Sequence, residues 1–472
     1  MFVKNSFEYD ARVTKEARTL IGAGHHVTVV AYHVAGVTEM NEVRPDGIAV
    51  RRVSRVNFGV DALNRLATRY AGTIEERHGR LTGEPVDVER ARRAARLTPP
   101  STVAPGAEVI TAEAAPAADE PPGNLTRLWG RLSTPLLRSV SQMARFGFRV
   151  VKAVMGRQGL AMKTWAINRR MIAVGASERA DVYHSHDLNT LWIGHVCKRR
   201  TGARLVYDSH ELQTERSRMG PWWKRWATWN ERKWLPSADA LIVASPPWID
   251  HLRRLHGSIP DPAMAVINVP EDTMVEPRDL RPRLGLAPGT PLLLYQGSIQ
   301  ENRGIEPAID AIELLNGVVL VIVGYGYYRT SLEDLVARRG LGDRVRFHGP
   351  IPNEELLHWT ASADVGLCNI VNASLSYFTT LPNKLFEYMM AEVPVLGSDS
   401  PGIGAVVSDT GVGEVVDPVD PQSLATATHK ILADPEPYRA ACRIARKRYN
   451  WTVESENLLS VYEHLRRPRT VS

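Results

Sequence analysis

The sequence predicts an α/β protein made of two Rossmann-like halves that face a cleft, with the second half starting at about residue 286. Patterns of buried strands alternate with helical patterns along most of the chain, which is typical of parallel sheets flanked by helices. Several predicted strands end in glycine turns, and the alternation restarts near residue 285. The length of 472 residues is also sufficient for two domains.

The first 60 residues predict a strand, a helix and two further strands, and the first strand is very short because only residues 1–4 precede Asn5. Residues 13–24 have the apolar spacing of a helix, and Gly24 is typical of a residue that ends one. A helix rich in tryptophan is predicted over residues 222–235. The strands of this half are predicted at residues 26–32, 48–53, 180–188, 203–212 and 238–245.

The second half repeats the alternation of strands and helices. Residues 451–467 have the pattern of one amphipathic helix. We therefore predict domains at residues 1–285 and 286–450, followed by a helix and tail at 451–472. The strands of the second half are predicted within residues 282–299 and at 317–326, 344–351, 363–368, 393–399 and 411–418.

Two segments of the first half depart from this alternation. Residues 97–123 are rich in alanine and proline and have few large apolar side chains, which predicts a disordered linker or an inserted loop. Residues 124–177 contain ten Lys or Arg and no Asp or Glu, interleaved with apolar side chains. We interpret them as basic amphipathic helices.

Composition and charge exclude several classes of protein. With 44% apolar and 23% charged residues, the chain is neither wholly disordered nor collagenous. Its three cysteines are far apart in the sequence and predict neither a disulfide framework nor a cysteine-based metal site, so a reducing compartment is expected. We expect no signal peptide, because the first ten residues lack its basic and apolar regions. We expect no membrane span either, because no apolar run reaches about 18 residues.

Charge is distributed unevenly along the chain. Residues 1–285 hold 42 Lys and Arg against 30 Asp and Glu, a net charge of +12, whereas residues 286–472 hold 16 against 22, a net charge of −6. A strongly basic half predicts an anionic partner, such as a nucleic acid, a membrane surface or a phosphorylated substrate.

The most specific motif lies at residues 382–403. Pro382 and Asn383 precede a short helix whose free N–H groups favour anions, and Lys384 adds a positive charge there. One helical turn later, Glu387 could hold the two hydroxyls of a ribose. From this motif alone, a surface glutamate at a solvated helix start is an equally good interpretation.

Glycine turns follow three predicted strands of the same half, within residues 295–306, 324–335 and 347–352. Arg303, beside the first turn, could bind a diphosphate through two N–H groups. Each turn alone is weak evidence. A series of such turns at strand ends is where an open α/β sheet binds a nucleotide.

The order of these motifs resembles that of a family 4 glycosyltransferase of the retaining GT-B type. The similarity runs from DARVTKEARTLIGAGHHVTVVA through DVYHSHDL and VYDSHE to YQGSIQENRGIE and PNKLFEYMMAEVPVLGSD, and it leaves out residues 60–175. It implies a GT-B fold whose C-terminal helix crosses back. It also implies that the second half binds a nucleotide-sugar donor and the first half an acceptor.

The resemblance implies roles for individual residues. His186 would face the transferred sugar, although a histidine at a strand end can also be structural, as we expect for His184 and His210. Arg303 and Lys384 would hold the diphosphate, and with His186 they form the candidate catalytic set. The other donor-side candidates are Gly297, Ser298, Gly324, His348, Gly349, Ile351, Asn383 and Glu387, and the acceptor-side candidates are Asn5, Asp10 and Asp187.

Three features set expectations for the chemistry. Thr379 stands where the family has the first of two glutamates, so the sugar is left open and its contact is expected from Asn372, Ser374 or nearby backbone. The chain has no Asp-x-Asp pair to hold a metal on the diphosphate, which predicts a metal-independent enzyme without a cofactor. Asp187 and Glu211 are expected to orient the imidazoles by hydrogen bonding.

Tryptophan and basic residues favour a membrane surface as the anionic partner. Residues 221–234 contain five Trp and four Lys or Arg, and residues 124–177 have a similar composition. Indole rings and cations favour an anionic headgroup region. The alternative is that the indoles pack in the core and the cations are solvated. No nucleic-acid-binding module is recognisable, so nucleic acid is not expected as a partner.

The sequence therefore predicts a retaining glycosyltransferase at the cytoplasmic face of the cell membrane, acting on a lipid-linked or membrane-held acceptor in bacterial surface or cell-wall glycan synthesis. Two alternatives remain open. The same fold could serve a sugar-nucleotide epimerase, which would isomerise the donor without transfer. It could also serve a non-catalytic sugar-nucleotide-binding protein, because Thr379 replaces a usual glutamate.

Overall fold

The structure is a computed structural model that describes residues 1–8, 10–54, 162–216 and 219–467. The predicted loop at 97–123 and most of the basic segment at 124–177 lie outside the described residues. No described helix combines the length and the apolar character needed to cross a bilayer.

The described strands form three sheets, with the orders β1-β3-β2, β4-β5-β6-β7 and β10-β9-β8-β11-β12-β13. The second and third sheets are parallel. The strands are β1 (Thr28–His33), β2 (Asn41–Val43), β3 (Ala49–Ser54), β4 (Val182–His186), β5 (Arg204–Ser209), β6 (Ala240–Val243), β7 (Ala263–Ala265), β8 (Leu292–Gln296), β9 (Val319–Val323), β10 (Val345–Gly349), β11 (Val365–Cys368), β12 (Val395–Ser398) and β13 (Gly413–Val416).

Helices connect most of these strands, as the predicted alternation requires. The helices are α1 (Ala11–Gly22), α2 (162–177), α3 (Leu188–Thr201), α4 (Pro221–Trp234), α5 (Pro247–His256), α6 (Ile305–Leu314), α7 (Arg329–Arg339), α8 (Asn353–Thr360), α9 (Leu375–Phe378), α10 (Asn383–Met390), α11 (Ile403–Thr410), α12 (Pro421–Ala433), α13 (Glu436–Ala445) and α14 (Trp451–Arg466). The predicted α/β class is confirmed.

The first residues of the chain join the first two sheets. Phe2 forms parallel bridges with Val30, in β1, and with Ser185, in β4. Its N–H donates to the His184 carbonyl at 2.8 Å, and its side chain is buried. Phe2 therefore links β1 and β4 through isolated bridges, at the place of the predicted very short first strand.

The core of the six-stranded sheet follows directly from its sequence. Every residue of β8 and β9 is buried, because the sheet is covered on both faces. Apolar side chains of α6 and α12 pack with Leu293 and Leu320 of these strands. Long apolar runs such as VLVIV are typical of such doubly covered strands.

The C-terminal helix α14 crosses back to the first half, as the resemblance implied. Trp451 Nε1 donates to Thr19 Oγ1 at 2.9 Å, and the Ile267 N–H donates to Glu454 at 2.8 Å. These contacts and both parallel sheets lie in one compact unit made of Met1–Tyr32, Thr38–Arg52 and Ile172–Ser472. The predicted domain boundary near residue 285 stays a prediction.

The first sheet differs from the predicted parallel alternation. Strand β2 pairs with β3 in an antiparallel hairpin, so a purely parallel arrangement was wrong there. Helix α5 and strand β7 were not predicted. The latter has only three residues and pairs at the edge of its sheet, so its sequence carries no clear alternation.

Candidate functional site

Three glycine turns meet at one edge of the six-stranded sheet, because β8, β9 and β10 are neighbours. The Gly297 N–H donates to the Val323 carbonyl at 2.9 Å, and the Gly324 N–H donates to the Gly349 carbonyl at 2.9 Å. Gly324 has a φ of +143°, and a Cβ atom there would lie 1.9 Å from the Gly297 carbonyl oxygen. Only glycine permits this close approach of the backbone.

Two cations of the candidate site lie against aromatic rings. The Arg303 guanidinium is 4.7 Å from the centre of the Tyr377 ring, and Lys384 Nζ is 3.7 Å from the centre of the Tyr295 ring. Arg303 Nε and Lys384 Nζ are both buried and have no hydrogen-bond partner among the described residues. Burial lowers the pKa of Lys384 to about 7, and Arg303 repels its charged form as well. Such a pair is arranged to receive an anion.

The Glu387 carboxylate is oriented by a neighbouring amide. Gln296 Nε2 donates to Glu387 Oε2 at 2.5 Å, and Thr360 Oγ1 donates to Gln296 Oε1 at 2.7 Å. Burial raises the pKa of Glu387. Asn383, the first residue of α10, accepts a hydrogen bond from Asn268 Nδ2 at 2.9 Å.

The other donor-side candidates lie in or just after the strands of the same edge. Ser298 follows the turn after β8. His348 is the residue before Gly349 in β10, and its buried Nδ1 lacks a hydrogen-bond partner within the described part of the chain. Ile351 follows, with a partly buried side chain.

Thr379 forms a joint between the two halves. Ser245 Oγ donates to the Thr379 carbonyl at 2.8 Å, and Trp248 Nε1 donates to Thr379 Oγ1 at 2.9 Å. Of the two suggested replacements for the missing glutamate, Ser374 caps α9 by accepting the Tyr377 N–H at 3.3 Å. Asn372 is exposed.

A pocket in the first half collects the acceptor-side candidates. Its lining residues are Val3, Lys4, Asn5, Asp10, His186, Asp187, Asn189 and His210. Asn5 Nδ2 donates to Asp10 Oδ2 at 2.7 Å, and Asp10 also caps the start of α1. Asp187 has a φ of +65°, a strained value for a residue other than glycine. Burial lowers the pKa of Lys4 to about 8.

His186 also belongs to a group of four residues, Glu16, His184, His186 and Asp208, which we call the buried cluster. Within the described residues, their side-chain oxygen and nitrogen atoms lie within 4.8 Å of one another, close enough to hold a metal ion. Asp208 Oδ2 is 3.6 Å from His184 Nε2 and 3.3 Å from His186 Nδ1. Glu16 Oε2 is 3.9 Å from the same two nitrogens.

Arg12, Tyr462 and His210 contact the buried cluster from outside. Arg12 donates to Asp208 Oδ1 at 3.0 Å, and its Nε lies 2.9 Å from Glu16 Oε1. The Tyr462 hydroxyl, from α14, is 2.9 Å from His184 Nδ1. Only His186 of the buried cluster was predicted as a site residue. The two-residue spacing on β4 and the pairing of His186 with Asp208 on β5 place their side chains together, but the sequence does not show that pairing.

The charges of the buried cluster depend strongly on burial. Burial and the nearby Asp208 carboxylate raise the pKa of Glu16. Burial acts in the same direction on Asp208, but Arg12 and His210 outweigh it and hold its pKa well below its usual range. Burial lowers the pKa of His186, and His184 adds to this effect.

The carboxylates that orient the imidazoles differ from those expected. His210 Nε2 is 3.2 Å from Asp208 Oδ2 and 3.1 Å from His186 Nδ1. Asp187 instead accepts the backbone N–H of His210 at 3.2 Å, and Glu211 accepts from Gln213. The expectation that Asp187 and Glu211 hold the rings was therefore wrong, because Asp208 lies on the same sheet face as the histidines.

Helix α4 presents its indoles to solvent. Trp223, Trp226 and Trp229 are 45%, 45% and 56% exposed, so the interpretation that they pack in the core was wrong for these three. The inner face of α4 is instead held by Glu231, which accepts the Tyr207 hydroxyl at 2.9 Å. Lys233 Nζ lies 4.8 Å from the centre of the Trp229 ring.

Two family models match the chain in sequence. One, described as Glycosyltransferase Family 4, matches residues 106–270, and the other, described as Glycosyl transferases group 1, matches residues 277–448. Together they extend over both sheets that carry the candidate residues.

Several curated proteins are similar over most of their length. A D-inositol 3-phosphate glycosyltransferase of Xylanimonas cellulosilytica is 27% identical over 303 residues, which are 60% of this chain and 71% of that protein. A glycogen synthase of Mycobacterium tuberculosis is 26% identical over 324 residues, covering 64% of this chain and 73% of that protein.

Solved structures share the fold. A sucrose-phosphate synthase from Thermosynechococcus elongatus aligns with a TM-score of 0.62 at 19% identity, over 96% of this chain and 92% of that one. The Anabaena protein HepE, in complex with UDP-glucose, aligns with a TM-score of 0.53 at 17% identity, over 63% and 82% of the two chains. The predicted GT-B fold is confirmed.

Proposed function

The chain belongs to the family 4 glycosyltransferases and uses a nucleotide sugar, and from this premise we propose that it transfers the sugar, with retention of configuration, to a lipid-linked or membrane-held acceptor. The reaction serves the synthesis of bacterial surface or cell-wall glycans at the cytoplasmic face of the membrane.

The donor side rests on one observation: Arg303 Nε and Lys384 Nζ are buried atoms of two cations and have no hydrogen-bond partner among the described residues. They lie in the half that carries the three glycine turns and Glu387, whose carboxylate is already oriented by Gln296. A nucleoside diphosphate supplies the missing negative charge, and its ribose supplies hydroxyls for Glu387. This neutralisation by protein cations supports a transfer that requires no metal on the diphosphate.

In the proposed mechanism, His186 faces the transferred sugar. The bond between the anomeric carbon and the diphosphate oxygen breaks, and the acceptor oxygen forms its bond on the same face of the sugar. The acceptor proton passes to the departing phosphate oxygen, while Arg303 and Lys384 stabilise the negative charge that develops there.

The acceptor side rests on the pocket around His186 and on α4. Asn5, Asp10 and Asp187 line this pocket and offer oxygen atoms to acceptor hydroxyls. The exposed indoles and cations of α4, together with a net charge of +12 over residues 1–285, favour an anionic membrane as the place where the acceptor is held.

A screen of nucleotide sugars tests this function. We expect one donor to raise the melting temperature and to be consumed with transfer when an acceptor lipid is added. Donor isomerisation without transfer would instead favour an epimerase, and donor binding without either reaction would favour a non-catalytic protein. In calorimetry, affinity for the nucleoside diphosphate should be the same with and without magnesium. A metal requirement there would contradict the proposed role of the two cations.

A further inference from the structure

The buried cluster contains polar atoms that nothing in the described protein satisfies. Glu16 Oε2 and His184 Nε2 are buried without a hydrogen-bond partner among the described residues. Unpaired buried polar atoms are costly, and native proteins pair the great majority of them with protein groups, water or ions. Something of positive charge or hydrogen-bonding capacity therefore belongs in this site.

The distances between these atoms indicate that the missing partner is a metal ion. Within the buried cluster, Asp208 Oδ2 lies 3.3 Å from His186 Nδ1 and 3.6 Å from His184 Nε2, and Glu16 Oε2 lies 3.9 Å from both nitrogens. In a tetrahedral zinc site, ligand atoms about 2.0–2.1 Å from the metal are separated by about 3.3 Å. The Asp208 distances are therefore close to those between metal ligands, and the Glu16 carboxylate would move inward when an ion binds.

The outer contacts of the cluster also fit a metal site. Histidine ligands usually use their second nitrogen in a hydrogen bond that fixes the ring, and carboxylate ligands are hydrogen-bonded in turn. Tyr462 contacts His184 at Nδ1, which leaves Nε2 directed to the cluster. Arg12 donates to both carboxylate oxygens of Asp208, at 3.0 and 3.2 Å, and its Nε lies 2.9 Å from Glu16 Oε1. Asp208 Oδ2 and Glu16 Oε2 are the oxygens that also approach the histidines.

We propose that the buried cluster binds one divalent transition-metal ion, with zinc favoured by its imidazole and carboxylate donors. The ion lies in the first half, among residues that family resemblance does not assign to the donor diphosphate. A metal on His186 Nδ1 leaves Nε2 protonated and directed away from the ion.

Metal analysis of the full-length chain, with any affinity tag removed, tests the proposal without donor or acceptor. After equilibration with zinc or cobalt and desalting, we expect about one ion per chain by mass spectrometry. The cobalt form should show the visible absorption bands of a four-coordinate site. A chain that retains no zinc and gives no such bands would overturn the proposal and leave the cluster as a protonated polar network.

Variants locate the ion. Glu16→Gln and His184→Gln should each lower metal affinity at least about tenfold, whereas His429→Gln, which changes an exposed histidine of α12, should not. Tyr462→Phe removes only the hydroxyl that contacts His184 and should lower metal affinity by a smaller factor. If the ligand variants fail to fold, this variant still tests whether the ion binds at the cluster. Equal affinity in all four variants would mean that the ion binds elsewhere. Nucleoside diphosphate binding in the second half reports folding independently.

Discussion

At the scale of single residues, the candidate donor site is defined by two cations. Arg303 lies on the Tyr377 ring and pairs with no acid among the described residues, so the ring orients its guanidinium before any ligand arrives. Arg303→Ala should lower the affinity for a nucleoside diphosphate by about ten- to a hundredfold, as expected for the loss of a charged hydrogen bond, and should lower the affinity for a monophosphate by less. Glu387→Ala should lower the affinity for both nucleotides equally, because Glu387 acts on the ribose. Calorimetry with both nucleotides measures this, and equal losses for Arg303→Ala would contradict its assignment.

Because the pKa of Lys384 is lowered, we expect donor binding to depend on pH. Its pKa of about 7 in the free protein means that the cation is present below pH 7 and is lost as the pH rises through that value. Affinity for the diphosphate should therefore fall by up to about tenfold per pH unit above neutrality. Lys384→Arg should flatten this profile, because arginine keeps its charge. A profile that is as steep in Lys384→Arg as in the unmodified chain would assign the titration to another group.

At the scale of elements, the exposed indoles of α4 form the surface that we propose binds a membrane. Replacing Trp223, Trp226 and Trp229 with Ala should reduce binding to anionic vesicles in high salt, where screening removes most of the electrostatic attraction and leaves the indoles. The fold should survive, since these side chains are about half exposed. Co-sedimentation measures the effect, and Ile444→Ala, which alters an exposed residue of α13, is the control. Absence of binding at low salt would remove the membrane from the proposed function.

Elements with strong local patterns were predicted from the sequence, and those defined by partners were not. The strands β8 and β9 are continuous apolar runs, and Gly297 and Gly324 mark their turns, so both the sheet and its binding edge could be predicted. Strand β7 is defined by its pairing with β6, which its own three residues do not reveal. The buried cluster was missed for a similar reason: Glu16 looks like an ordinary helical residue until α1 packs near Asp208.

At the scale of the whole molecule, the C-terminal helix α14 packs against the first half of the chain, where it contacts Thr19 and His184. Leu458 is fully buried on this helix, so Leu458→Ala should lower the free energy of unfolding by about 2–5 kcal/mol. Glu456→Ala, on the exposed side of the same helix, should change it little. Denaturant unfolding measures both. We expect a single transition, because α14 contacts the first half through Trp451 and Tyr462. A local loss of α14 alone, with the sheets unaffected, would argue against this coupling.

The joint at Thr379 constrains how donor choice can evolve or be redesigned. A glutamate at this position would restore the family's usual carboxylate, but it would also remove the hydroxyl that accepts the Trp248 N–H. A change at Thr379 that alters the sugar therefore also alters its hydrogen bond with Trp248. A mutant library for altered specificity should vary Thr379 together with Ser245 and Trp248, since each accepted change on one side needs a compensating change on the other.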